Sequence, residues 1–170
     1  MSIQSLRLPR LVESDPRGAA LLQSLVDHAR PIRTGSEISV PMALFDGIEG
    51  VLQSAHRAGR VVRGLETAER TLAAEERGLR LVDQSSGVKR GGRVSRLLLL
   101  ANDGSDGFYR QVENLLKRHG PRVLAIRLDV DATALGAPLF GVGRMTRLLM
   151  IQHKEAVAEV LFAFAEQFQR

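Results

Sequence analysis

The chain contains no cysteine. That absence removes disulfides, thiolate metal sites and a cysteine nucleophile together, and it is compatible with a reducing cytosol. Long apolar runs are also missing. The longest strictly apolar stretch, residues 160–165, is six residues, far short of the roughly 18 residues that suggest a membrane span. Residues 1–10 lack the apolar centre of a secretory signal. These absences lead to the expectation of a cytoplasmic protein with no membrane contact. The four histidines, His28, His56, His119 and His153, show no metal-motif spacing, so neither a metal nor a cofactor is expected.

Acidic charge is in short supply. The 170 residues carry 24 Lys/Arg against 19 Asp/Glu, a formal net charge of +5. The excess is local: between Arg57 and Arg96 lie ten basic residues and five acidic ones, while the other 14 basic and 14 acidic residues cancel. A basic cluster of this kind points to a polyanionic partner, nucleic acid first. Within it, residues 85–93 space Lys89, Arg90 and Arg93 with glycine and serine and include no aromatic. Such a segment suits phosphate contact rather than base stacking.

Apolar content of 44% is ample for one packed core. Residues 1–40 read as an extension: an arm with Pro9 and Pro16, one helix over 18–30, and a polar connection through Gly35. From Met42 the set Leu44, Phe45, Ile48, Val51, Leu52 and Ala55 repeats at three and four, which predicts a helix closed by Gly59. Val61-Val62 form a short strand, Gly64 a turn, and residues 66–77 a helix, followed by a basic insert over 75–93 that ends as a loop. Residues 94–101 are continuously apolar and so predict a strand buried on both faces. A helix over 106–119, a strand over 123–128, a turn or short helix over 132–140, a strand over 145–151 and a final helix from Lys154 complete the pattern. Helices alternating with strands predict an α/β fold, a single three-layer α/β/α sandwich on a mixed sheet of four to five strands, over residues 41–170.

Catalytic constellations are scarce. Asp129-Val130-Asp131 follows an apolar strand in the manner of a phosphotransferase nucleophile and general acid. It lies far from the amino terminus, with about 40 residues after it, so capping by Asp131 and solvent exposure of Asp129 are the preferred reading. Asn102-Asp103-Gly104-Ser105-Asp106 lacks the glutamate of a calcium loop and the lysine of a phosphate cradle, and reads as a strand-to-helix turn capped by Ser105 or Asp106. No enzyme is expected.

The Ala58-Gly59 helix end, Val61-Val62, Gly64 opening a helix with Glu66 and Arg70, the run from Leu97 to Asp103, and the Leu135-Gly136 step occur in an order that resembles the kink-turn RNA-binding superfamily of ribosomal protein L-seven-Ae, closest to its bacterial YlxQ-like branch. The resemblance covers roughly residues 44–168. It implies non-catalytic binding of structured RNA, kink-turn-like or ribosomal, by a ribosome-associated or assembly protein. In that family the helix after the glycine enters the RNA groove with a Gly-x-Asn-Glu-x-x-Lys pattern. Here Gly64, Glu66, Thr67 and Arg70 stand at the glycine, asparagine, glutamate and lysine. The loop after the Leu-Gly step packs apolar residues on splayed bases; in this chain that loop carries Phe140 and Val142 and is one residue longer than the common form. The 75–93 insert and the segment before Pro41 depart from the family pattern. Resemblance and charge together nominate Arg60, Arg63, Gly64, Glu66, Arg70, Lys89, Arg90, Arg93, Phe140 and Val142 as RNA-binding residues. Alternatives from other classes are an interaction module docking an acidic protein through the same basic cluster, and a phosphotransferase using Asp129 and Asp131.

Overall fold

The computed structural model describes residues 3–86 and 92–170. Among these residues six strands form one mixed sheet: β1 (Ala29–Pro31), β2 (Ser39–Ala43), β3 (Val61–Arg63), β4 (Arg96–Leu100), β5 (Val123–Leu128) and β6 (Leu148–Ile151), ordered β1-β2-β5-β4-β6-β3. Strands β2, β5 and β4 run parallel, while β1, β6 and β3 pair antiparallel to their neighbours. Among the described residues seven α-helices flank them: α1 (Arg10–Glu13), α2 (Gly18–Asp27), α3 (Glu49–Arg57), α4 (Leu65–Ser86), α5 (Asp106–His119), α6 (Ala132–Phe140) and α7 (Lys154–Phe168). The protein is an α/β/α sandwich, with six strands where four to five were expected.

The continuous apolar runs of the central strands follow from burial on two faces. In β4, Leu97 and Leu99 join a core with Leu124, Ile126, Leu149, Val157, Leu161 and Phe164, beneath α1, α2, α3, α6 and α7. The alternate residues Leu98 and Leu100 face the other way, packing with Ala125, Met150, Ala68, Leu72, Val112 and Leu115 beneath α4 and α5.

Two expectations need correction. The helix predicted from Met42 begins only at Glu49, because Ser39–Ala43 pairs with β1 and β5 as strand β2. The insert predicted over 75–93 is helical as far as Ser86: α4 runs 22 residues, since Glu75 and Glu76 carry it across to Arg96 and Arg122. The first 40 residues supply β1 and the first two residues of β2, and their Leu6, Leu8, Val12, Leu21 and Leu25 lie in the same core as Phe164.

Candidate nucleic-acid interface

Val61–Arg63 forms the sheet edge beside β6, with Val61 opposite Ile151 and Arg63 opposite Leu149. The Gly64 N–H donates to the Leu148 carbonyl at 2.9 Å, extending the ladder one residue before the chain turns. That turn needs the left-handed backbone of Gly64, φ 92°, which a side chain would strain. Helix α4 starts at the next residue and folds back over the sheet, burying Ala68 and Leu72. Glu66, Thr67 and Arg70 stay exposed. The first-turn N–H groups of a helix have no acceptor within it, so α4 presents its positive end at this corner. An Arg70 guanidinium N–H donates to Thr67 Oγ1 at 3.5 Å, one turn away.

The loop after α6 reaches the same corner. The Arg63 guanidinium lies 4.5 Å from the centre of the Phe140 ring and donates to the Met145 carbonyl at 2.8 Å. His56 meets the same ring edge-on at 5.0 Å. Phe140 and Leu139 are thus packing residues, partly buried against the core. Val142 differs. Held between Gly141 (φ 104°) and Gly143 (φ 80°), it is 98% exposed. Met145 beside it is also exposed. The free apolar groups at this corner are therefore Val142 and Met145, while Phe140 anchors Arg63.

Gly136 explains how the loop is held. A Cβ there would sit 2.0 Å from the Arg144 carbonyl oxygen, so the return strand passes against the helix backbone itself. Thr146 fixes the exit, its N–H donating to the Ala132 carbonyl at 3.0 Å and its hydroxyl to the Leu148 carbonyl at 2.9 Å. Arg144 and Arg147 project from the loop, both exposed. Arg147 lies 3.8 Å from the Asp103 carboxylate. The sequence reading missed Arg144, Arg147 and Met145 because they fall outside the 57–96 cluster. Their signal was present: two arginines within four residues of a Gly-x-Gly turn, directly before an apolar strand.

The nominated residues do not form one face. Arg63, Gly64, Glu66, Arg70, Phe140 and Val142 gather at the corner just described. Arg60 precedes β3, its carbonyl accepting from Gln152 N–H at 2.9 Å, and Arg93 precedes β4, so both lie at the opposite end of the sheet. The five residues of β4 put Arg93 roughly 17 Å from that corner, whereas Arg60 stands three residues, about 10 Å, from Arg63 along β3. Arg93 is also engaged, donating to the Leu8 carbonyl at 2.9 Å and pairing with Glu13. Arg96, counted in the basic cluster, is clamped by Glu75 at 2.9 Å. Lys89 and Arg90 lie outside the described residues.

The carboxylates considered for catalysis serve the backbone. Asp129 is exposed, and its Oδ1 accepts from Phe45 N–H at 2.7 Å; Asp131 Oδ1 accepts from Ala134 N–H at 2.8 Å as the cap of α6. Ser105 Oγ accepts from Phe108 N–H at 3.1 Å, capping α5. Among the described residues no group of three or more His, Asp or Glu side chains is arranged to hold a metal ion. No described helix is long and apolar enough to cross a membrane.

What the fold and this corner define is an α/β/α sandwich whose edge strand, helix amino terminus and glycine-flanked loop converge on one cationic and apolar patch. No family model and no curated protein matches the chain. Among solved structures, a protein of unknown function from Bacillus halodurans is similar at 17% identity, over 69% of this chain and 95% of its own, with a TM-score of 0.43.

Proposed function

We propose that this protein binds structured RNA without catalytic turnover, through the corner where the start of α4 meets loop 141–147. What supports the reading is the convergence of four exposed arginines, Arg63, Arg70, Arg144 and Arg147, with an uncovered Val142. Arginine forks suit phosphates and guanine edges. An apolar side chain between them suits a base turned out of its stack, which is how proteins read irregular RNA rather than plain duplex. The resemblance to the kink-turn binders extends the proposal to ribosomal RNA as target and to a ribosome-associated or assembly role.

The test is binding of the purified chain to a labelled kink-turn RNA and to a duplex of equal length, at about 50 mM and about 200 mM salt, where phosphate contacts lose affinity steeply. The expected result is preference for the kink-turn that persists at the higher salt. Arg70→Ala is expected to weaken binding about tenfold and to lower the salt slope by about one. Arg80→Ala, in the distal half of α4, is expected to change neither. Equal affinity for both RNAs, or an Arg70→Ala protein that binds like the parent, would overturn the reading.

A further inference from the structure

The end of the sheet opposite the arginine corner carries a second feature. Residues 9–14, residues 93–95 and the start of α7 enclose an open cleft of about 900 Å³, within the range of small-molecule sites. Its apolar wall includes Pro9, Val94 and Leu11, and Leu11 is 58% exposed. Its charged wall holds Arg10, Arg93 and Lys154. We infer that this cleft binds an amphiphilic anion, an aliphatic body ending in a phosphate or carboxylate group.

Three observations converge on the anionic head. Lys154 occupies the first position of α7, where the positive end of the helix disfavours a cation unless an anion sits between them. No side chain caps that end, so its first-turn N–H groups have no acceptor inside the helix, and Lys154 and Glu155 of that turn line the cleft. Arg93 is crowded by Arg7 and Arg10; burial first, and then their like charge, hold its pKa below the usual arginine value. Glu13 offsets Arg7 and Arg93 by pairing with both. Among the described residues Arg10 and Lys154 have no ion pair, and Glu155 is the other carboxylate lining the cleft. Cations exceed acids here. The apolar wall decides the body of the ligand: it contains aliphatic side chains and no aromatic ring, which suits a hydrocarbon chain rather than a stacked base.

The experiment is isothermal titration of the full chain with octyl phosphate, octanoate, octanol and inorganic phosphate, the amphiphiles kept below their micelle concentrations. Octyl phosphate or octanoate is expected to bind at least about tenfold more tightly than octanol or phosphate, and the stronger of the two identifies the head group. Leu11→Asp and Lys154→Glu alter exposed side chains and are each expected to weaken that binding about tenfold without lowering the unfolding midpoint. Octanol binding as well as the two anions, both variants binding like the parent, or association only with anionic lipid vesicles would each overturn the assignment. The arginine corner takes no part in this test, so its outcome is independent of RNA binding.

Discussion

At the scale of single residues, the strongest constraint is one that the candidate interface does not use. His119 ends α5 with its ring buried and Nδ1 without a hydrogen-bond partner, 3.9 Å from Glu76. Burial, then the charge of Arg122, push its pKa below the ordinary 6.5, and Arg118 adds to the push; Glu76 pulls the other way and loses. A histidine whose folded pKa lies below its unfolded one binds fewer protons in the native state, so stability rises with pH and falls once the unfolded chain begins to protonate, from about pH 6.5 downward. The urea midpoint is expected to drop between about pH 7.5 and about pH 5.5, and His119→Gln is expected to flatten that drop. An unchanged slope would exclude His119 as its source. Glu113 acts in a different window. The Ser36 hydroxyl foremost, with Lys117 and Arg33, holds its carboxyl below the ordinary 4.5 against the opposing effect of burial, so its contribution is present above about pH 4.5 and is lost as pH falls through its lowered native value. At this scale the sequence made Arg63, Gly64 and Arg70 legible through their spacing. It hid the role of Phe140, because nothing in a linear pattern says that an arginine 77 positions away covers a ring.

At the scale of elements, legibility followed how local the cause of each element was. Helix α5 carries its own signals, a Ser105 cap, an apolar stripe and Gly120 at its end, and the expected bounds match the structure. Strands β4 and β5 were legible from apolar content alone. Strands β1 and β2 were not, since Ala29–Pro31 has little intrinsic β preference and becomes a strand only by pairing with residues ten positions away, which in turn pair with β5. Helix α4 was cut short for the opposite reason: the charges of 75–86 look like a solvated insert, yet Ala, Glu, Arg and Leu are good helix formers and Gly78 is one isolated weak point. The element that governs the interface is α6 with its following loop, and Gly136 is its pivot. Because a Cβ there collides with the Arg144 backbone at 2.0 Å, and backbone cannot swing aside, Gly136→Ala is expected to cost about 1–3 kcal/mol, read as a lower urea midpoint. The same change pushes Arg144 and Val142 off the corner, so RNA affinity measured under folded conditions is expected to fall as well. A destabilised protein with parental RNA affinity would detach loop 141–147 from the function.

For the molecule as a whole, the fold divides a basic cluster that is continuous in sequence. Helix α4 runs antiparallel to β3, so its amino end joins Arg63 at one pole, while its middle brings Glu75 and Glu76 to Arg96 and Arg122 near the other. Arg96 is thereby held in a structural ion pair, as Arg93 is by Glu13, and two cationic poles remain, one edged by Val142 and one opening on a cleft. The second pole exists because the amino-terminal segment is built into the sandwich. Its backbone meets the sheet where Val94 N–H donates to the Arg7 carbonyl at 2.8 Å, and α2 packs on α7. Five of its side chains, Leu6, Leu8, Val12, Leu21 and Leu25, are at most 3% exposed. At about 1.5–3 kcal/mol each, their burial amounts to roughly 8–15 kcal/mol, the size of a typical domain's entire net stability. Deletion of residues 1–28 removes α1 and α2 and uncovers the α7 side of the core, including Phe164. The shortened chain is expected to lose the cooperative urea transition of the full chain and to collect in the insoluble fraction. A cooperative transition in a 41–170 fragment would instead make the first 40 residues a separable extension, and the cleft would then be a feature that the RNA-binding unit can do without.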